Sequence, residues 1–313
     1  MNSDTGSEEK VSFDEEIDLR ELFNVLLDKK KFIFLLSSFF AIISVTFALY
    51  QDDLYRSEAL LSVSGQSQSN NSLSSLGGLA SIAGINLPLN NQDKSVIVIK
   101  TIQSRAFLKH LISFKNILPS IMATKGYDFQ SKRTLFDPDI YDEENDEWLR
   151  KPSINKKSKP TYLEAYKSYL EQVSISKDET TSLISISVEH MSPIFAKEFL
   201  GLIIREANEL LRNKDLRESS DAIAFLNTEI PKSSLISMKD AINKLVQSQL
   251  ETQMLSKINT EYILKIIEPP FIPETRSKPN RALICILGTL FGGIISILWV
   301  LIGHYSFKRT SEK

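Results

Sequence analysis

Cysteine is nearly absent from this sequence: only Cys285 occurs, within an apolar run near the C-terminus. A single cysteine forms no disulfide within the chain and supplies no cysteine cluster for a structural metal. The three histidines, His110, His190 and His304, are widely spaced and form no ligand motif. We therefore predict no metal site and no cofactor, and we interpret His190 as a structural residue at a strand end.

Catalytic motifs are also missing. The sequence contains no nucleotide-binding run G-x-x-x-x-G-K-[ST] and no G-x-S-x-G turn that would present a nucleophilic serine. Asp137, Asp139 and Asp142 lack the central glycine and final glutamate of a calcium loop. The balanced charge, −2 in total, argues against a nucleic-acid partner. We predict no catalytic residue, and we predict that the protein is not an enzyme.

Charge is missing from two long stretches near the ends of the chain. Phe32–Tyr50 has 19 residues and Ala282–Gly303 has 22, and neither contains Asp, Glu, Lys or Arg. As helices they would measure roughly 28 and 33 Å, close to a bilayer hydrocarbon core of about 30 Å. Helices buried in a soluble protein are the alternative, but two such runs with charged flanks favour transmembrane helices.

The charges that flank the two spans predict their orientation. Lys29, Lys30 and Lys31 precede the first span, and Lys308 and Arg309 follow the second. Because positive charge is retained on the cytoplasmic side, we place both termini in the cytoplasm of a bacterial cell. The region between the spans is then periplasmic, and the protein is a multi-pass inner-membrane protein.

This topology divides the chain into five segments. We predict a cytoplasmic tail with an amphipathic helix at 1–31, a transmembrane helix at 32–50, a periplasmic domain at 51–281, a second transmembrane helix at 282–304 and a short cytoplasmic tail at 305–313. Within the periplasmic domain, residues 51–191 and 259–281 are expected to form a base, and residues 192–258 to form long helices.

Strand and helix patterns occur side by side in the middle region, which predicts an α+β fold. Strand patterns occur at Tyr55–Ser64, Val173–Ser176, Leu183–Glu189 and Tyr262–Glu268. Helical spacing of apolar residues occurs at Lys94–Phe114, from Ser192-Pro193 to Pro231, and at Leu235–Ile258. The acidic run Asp137–Glu147 and the basic stretch Lys151–Lys159 are expected to be solvated loops.

The two helices between Ser192 and Ile258 would be unusually long. Their lengths, roughly 55 and 36 Å, exceed those of most helices in compact domains. Apolar residues along such helices need partners beyond the helices' own domain. We therefore predict a protruding helical hairpin that takes part in self-assembly.

A proline-rich segment precedes the second span. Pro270, Pro273 and Pro279 fix the backbone angle φ and lack an amide donor, so the segment that also holds Ser277 is predicted to be stiff and extended. It is either a passive spacer or a rigid coupling to the membrane, and the sequence leaves both open.

Two glycines lie four residues apart inside the second span. Gly288 and Gly292 have the small-xxx-small spacing that permits close helix contact. They are expected either to pack against another helix or to be ordinary small residues that face lipid.

The proline and glycine residues together resemble the Wzz-type chain length determinants, the polysaccharide co-polymerases without a kinase domain. The family pattern is P-x-x-P-x-x-x-S-x-P outside the second span and G-x-x-x-G within it. Pro270, Pro273, Ser277, Pro279, Gly288 and Gly292 fit these positions. The stretches EEIDLRELF, LGGLASIAGINL and SISVEHMSPIFAKEF also resemble family features.

The resemblance implies a ring of identical subunits in the inner membrane, each with an α/β base and a long protruding helix. Such a ring would set the modal length of a lipid-linked polysaccharide, O-antigen above all, as a Wzy-type polymerase extends it. The glycines would then pack against the first span or the polymerase. The alternatives are a two-span periplasmic sensor, an export scaffold for another envelope polymer, and an enzyme that acts on glycans.

Overall fold

A computed structural model describes most of the chain. The described residues are 25–64, 94–152, 157–232, 236–259 and 261–311, without the side chains of 232, 237 and 304–311. The stretch LGGLASIAGINL at Leu76–Leu87 and most of the tail with an amphipathic helix predicted at 1–31 lie outside these ranges. Two compact units are present, one formed by Met1–Gln51 with Pro279–Lys313 and the other by Asp52–Lys278.

Eight α-helices and eight strands lie entirely within the described residues. The helices are α1 (Lys30–Tyr50), α2 (Lys94–Ile102), α3 (Arg105–Leu111), α4 (Ile117–Ala123), α5 (Tyr162–Gln172), α6 (Pro193–Glu229), α7 (Ile236–Ile258) and α8 (Arg281–Ser311), and a 3₁₀ turn at Ile230–Lys232 follows α6. The strands are β1 (Tyr55–Val63), β2 (Thr124–Asp128), β3 (Arg133–Phe136), β4 (Tyr141–Asp142), β5 (Glu147–Trp148), β6 (Val173–Lys177), β7 (Ile184–His190) and β8 (Leu264–Glu268).

The first unit contains the two apolar helices, α1 and α8, packed against each other. By length and composition, Lys30–Tyr50 and Arg281–Gly303 could each span a membrane, with a mean hydropathy of 2.4 in both. Most of their large apolar side chains are exposed, among them Phe34, Leu287 and Trp299. The core helix of a soluble protein would bury these side chains, so the exposure favours contact with lipid.

Helix α8 extends further than the span predicted at 282–304. It continues through Gly303 to Ser311, across the residues predicted to form a separate tail at 305–313. No proline lies in this stretch, and Lys and Arg are good helix formers, so nothing in the local sequence ends the helix.

The second unit is built on a four-stranded antiparallel sheet with the order β6-β7-β1-β8. The predicted hairpin is present as β6 and β7, and Ile184, Ile186 and Val188 on β7 are fully buried. Strict alternation of apolar and polar residues in β7 therefore directs one face into the core. The first and last strands of the unit, β1 and β8, are neighbours in this sheet.

Helix α6 covers one face of the sheet. Ser192 has an extended backbone, its Oγ accepts a hydrogen bond from the amide of Phe195 at 3.3 Å, and Pro193 occupies the first turn. These residues start the helix as predicted. The N-terminal half buries Phe199, Leu200 and neighbouring apolar residues against β1 and β7. The C-terminal half packs along α7 instead, forming the predicted helical pair.

Several local predictions need correction. The helix predicted at Lys94–Phe114 is two helices, because Ser104 has an extended backbone and caps α3 by accepting a hydrogen bond from the amide of Phe107 at 3.1 Å.

The run Asp137–Glu147 is not entirely a solvated loop, since Tyr141 is buried and β4 pairs with β5. Helices α4 and α5 and the β2–β3 hairpin were not predicted. The predicted strand at Tyr262–Glu268 begins two residues later, at Leu264.

Candidate functional site

The proline segment follows β8 and lies against the start of β1. The hydroxyl of Ser57 on β1 donates a hydrogen bond to the carbonyl of Phe271 at 2.7 Å. Pro273 is buried, whereas Pro270 and Pro279 are half-buried. One of the three motif prolines is therefore part of the packed structure of the unit.

Backbone hydrogen bonds attach the end of this segment to Leu54, just before β1. The amide and hydroxyl of Ser277 both donate to the carbonyl of Leu54, at 2.7 and 3.0 Å, and the amide of Leu54 donates to the carbonyl of Lys278 at 2.9 Å. We refer to this arrangement of Leu54, Ser277 and Lys278 as the clasp. The clasp and the hydrogen bond from Ser57 hold the segment to the sheet.

Two ion pairs flank the clasp. The ammonium of Lys278 is 2.6 Å from a carboxylate oxygen of Glu189 at the end of β7, and Arg276 is 3.5 Å from Asp53. All four groups are at least partly exposed, and isolated pairs of this kind contribute little to stability. In each pair a basic side chain of the proline segment lies opposite an acidic side chain near a strand end. The two pairs therefore favour the observed position of the segment along the sheet.

The two motif glycines on α8 face α1. A Cβ atom on Gly288 would overlap the Oγ and Cβ of Ser44, and a Cβ on Gly292 would lie 2.5 Å from the Cβ of Phe40. Gly303, on the same helix, has open space at this position. At Gly288 and Gly292, therefore, the absence of a side chain permits the close approach of the two helices.

A polar contact accompanies this close approach. The hydroxyl of Ser44 donates a hydrogen bond to the carbonyl of Ile284 at 2.8 Å, and Ser44 is almost fully buried between the helices. Sequence reasoning missed Ser44 and Phe40 as partners of the glycines. The available signal was weak: Ser37 and Ser44 lie seven residues apart, on one face of an otherwise apolar helix.

A polar cleft of about 760 Å³ lies where α3 meets α6. His110 Nε2 is 2.9 Å from a carboxylate oxygen of Glu206, and the other carboxylate oxygen of Glu206 lies 3.2 Å from Nε of Arg205. The cleft is also lined by Phe114 and Arg217. The described residues contain no group of three or more His, Cys, Asp or Glu side chains that could hold a metal ion.

His190 is buried in the second unit at the end of β7. Its Nδ1 accepts a hydrogen bond from the amide of Ser192 at 3.0 Å, and its Nε2 donates to the carbonyl of Ser120 at 2.9 Å. Burial lowers the pKa of His190 to about 4, so the imidazole is neutral at physiological pH. It connects β7 to the helix α4 through the carbonyl of Ser120, which is a structural role.

Comparison with known proteins supports an assignment for the N-terminal third. Residues 15–114 match the family described as Wzz: Chain length determinant protein. The capsule polysaccharide export inner-membrane protein KpsE of Escherichia coli is 27% identical over 115 residues, and so is KpsE of Escherichia coli O6:H1. Each alignment covers 34% of this chain and 30% of KpsE, so less than a third of those relatives is matched.

Two solved structures are similar to this chain. A full-length bacterial polysaccharide co-polymerase gives a TM-score of 0.40 at 11% identity, covering 95% of this chain and 100% of that chain. A fragment of WzzB, a polysaccharide co-polymerase from Salmonella Typhimurium, gives 0.31 at 13% identity, covering 72% and 100%.

The family match ends before the proline segment and both glycines, so it is independent of the motif residues. Residues 15–114 are therefore similar to the chain length determinant family, and this similarity confirms the resemblance indicated by the sequence.

Proposed function

We propose that this protein regulates the modal chain length of a lipid-linked surface polysaccharide without making or breaking glycosidic bonds itself. The match of residues 15–114 to the chain length determinant family is the observation that carries this proposal. In the proposed mechanism an oligomeric scaffold holds a Wzy-type polymerase and the growing glycan together. O-antigen is the proposed polysaccharide.

The membrane placement is part of the same proposal. Helices α1 and α8 cross the inner membrane, both termini are cytoplasmic, and residues 51–281 form a periplasmic domain. The length, composition and exposed apolar surface of the two helices support it. The lysines before α1 support this orientation.

Exposed apolar residues on the two long helices support a homo-oligomer. Helix α6 has 37 residues and α7 has 23, and only the N-terminal half of α6 reaches the core of the unit. Phe225, Ile236, Met254, Leu255 and Ile258 are exposed beyond it. In a ring of subunits these residues would pack against a neighbouring copy.

A second candidate function is a scaffold for capsule export. The similarity to KpsE, described as a capsule polysaccharide export inner-membrane protein, favours this alternative. Both candidates share a membrane-anchored scaffold for an envelope polysaccharide, and they differ in the polymer and in the partner proteins.

Deleting the gene and profiling the cell-surface polysaccharides separates these candidates. We expect the deletion to replace a modal cluster of O-antigen bands with an unregulated spread, and the intact gene to restore the cluster. An unchanged banding pattern with loss of surface capsule would favour the export scaffold. If both polymers are unchanged, neither candidate holds.

A separate measurement tests the absence of catalysis. The purified protein in detergent is incubated with the polysaccharide in the absence of any polymerase. We expect the mass distribution of the glycan to stay constant, and a change in that mass would indicate an enzyme.

A further inference from the structure

A solvent-exposed phenylalanine lies at the tip of the β2–β3 hairpin. Phe129 follows β2 directly, and 62% of its surface is exposed. Its ring packs edge-on against Tyr127, with centroids 4.9 Å apart, and against Tyr55 at the start of β1, with centroids 5.8 Å apart. Two tyrosines therefore hold the ring while most of its apolar surface has no protein partner among the described residues.

Local hydrogen bonds fix the shape of this turn. The carboxylate of Asp128 accepts from the amide of Gln130 at 2.9 Å and from the hydroxyl of Ser131 at 2.6 Å. Lys132 has a positive φ of 53°, and the chain turns back there into β3. In this hairpin the backbone of Arg133 lies opposite the backbone of Asp128. The turn thus presents Phe129 from a defined backbone conformation.

The exposed side chains next to Phe129 carry positive charge. Lys132 and Arg133 are both exposed, and neither has an ion-pair partner among the residues that the structure describes. The one carboxylate of the turn, Asp128, is already bonded to Gln130 and Ser131. An exposed aromatic ring beside two cations is suited to the interface of a bilayer with anionic headgroups.

Covalent connectivity limits the distance between the end of α1 and Tyr55, the residue of β1 that contacts Phe129. Tyr55 follows Tyr50, the last residue of α1, by five positions, so their Cα atoms are at most about 18 Å apart. Phe129 contacts Tyr55 directly. The tip therefore contacts a residue that a short tether of five residues joins to the end of α1.

We propose that the β2–β3 turn is a membrane-interface anchor, in which Phe129 inserts at the headgroup boundary and Lys132 and Arg133 bind lipid phosphates. The inference rests on the proposed crossing of the membrane by α1 and α8. Lipid is favoured over a glycan or a second copy because the short tether to α1 and the cations both fit a lipid surface.

Spin-label accessibility in a bilayer tests the anchor. The full chain carries Cys285→Ala with Gln130→Cys, which is labelled and leaves Phe129 in place. The protein is reconstituted in vesicles of phosphatidylcholine and phosphatidylglycerol in equal parts. We expect the ratio of oxygen to nickel-complex accessibility at position 130 to be several-fold higher than at Leu163→Cys, an exposed apolar position on α5.

Further variants identify the groups responsible. Phe129→Ser, and separately Lys132→Ala with Arg133→Ala, should lower the ratio at position 130 to that at position 163. Vesicles of phosphatidylcholine alone should also lower it, because the cations then lack an anionic lipid. The same substitutions and the same change of lipid should leave the ratio high and unchanged at Phe39→Cys, an exposed position on α1.

The outcomes are separable from those of the proposed function. If position 39 prefers oxygen while position 130 is as accessible to nickel as position 163, α1 is in lipid and the anchor is wrong. If position 39 also prefers nickel, the membrane placement and the anchor both fail. Dipolar broadening between labels at position 130 of different copies, or protection there only after lipid-linked polysaccharide is added, would also overturn the anchor.

Discussion

Asn208 on α6 and Leu264 on β8 are joined by two hydrogen bonds, although 56 residues separate them. The side-chain amide of Asn208 donates to the carbonyl of Leu264 at 2.9 Å, and its side-chain oxygen accepts from the amide of Leu264 at 2.8 Å. The same oxygen also accepts from the amide of Ile263 at 3.0 Å. One buried side chain therefore satisfies three backbone groups where the chain returns from the long helices to the sheet.

Asn208→Ala should strongly destabilise the second unit. It would leave two amides and a carbonyl of the β8 region buried without partners, at a cost of about 3 kcal/mol. Thermal unfolding of the full chain in detergent measures this effect. Asn213→Ala, at an exposed position on the same helix, is the matched control and should unfold near the wild-type temperature. Equal melting temperatures for the two variants would contradict the role of Asn208.

Replacing Gly288 by leucine should separate α1 from α8. A side chain there meets Ser44, whereas at Gly303 it meets open space, so Gly303→Leu is the control. The readout is an oxidative cross-link between Ser37→Cys and Gly293→Cys in a Cys285→Ala background, because a Cβ on Gly293 would lie 3.6 Å from Ser37 Oγ. We expect the cross-linked fraction to drop several-fold for Gly288→Leu only. Equal cross-linking in both variants would show that the close approach is unnecessary.

Lowering the pH should reduce the free energy of unfolding of the second unit, because His190 is protonated more readily in the unfolded chain. Because burial lowers the pKa of this group from 6.5 to about 4, the unfolded chain binds a proton at a higher pH than the folded chain. The free energy of unfolding is therefore greatest above pH 6.5 and falls towards pH 4, by about 3 kcal/mol at most. Denaturant titrations across this range should show a shallower pH dependence for His190→Gln. Identical slopes for the two proteins would refute this assignment.

Substitution of the buried Pro273 should alter polysaccharide length control more than substitution of the exposed Pro269. Pro273 is buried where the proline segment lies along the sheet, while Pro269 is exposed, so only the first substitution alters packing. Under the proposed function, Pro273→Ala broadens the distribution of glycan lengths, and Pro269→Ala leaves it close to wild type. Gel profiles of complemented deletion strains, at matched protein levels, measure the difference. Similar profiles for both variants would indicate that the segment is a passive spacer.

Short-range patterns predicted much of the fold correctly. The alternation of Ile184, Ile186 and Val188 predicted a strand with one buried face, and Ser192-Pro193 predicted the start of α6. In each case the signal lies within a few residues, and local backbone geometry determines the outcome. The break at Pro231 was predictable for the same reason.

Other features depend on contacts that sequence periodicity does not contain. Ser104 interrupts a helical pattern of apolar residues that continues on both sides, so the two helices were predicted as one. Helix α5 was missed because, of its eleven residues, only Ala165 and Tyr169 are buried. The partner of Ser44 is the carbonyl of Ile284, 240 residues away, which no local rule identifies.

The clasp has a mechanical consequence. Strands β1 and β8 are antiparallel neighbours. The chain enters β1, and leaves the proline segment that follows β8, beside the Leu54–Lys278 pair. Both connections to the apolar helices therefore emerge at the same end of this strand pair. A force that pulls those connections apart would load the hydrogen bonds one after another, in an unzipping geometry, beginning at Leu54. The resistance of the sheet to such a force would therefore depend first on the few bonds made by Ser277 and Lys278, rather than on the whole ladder.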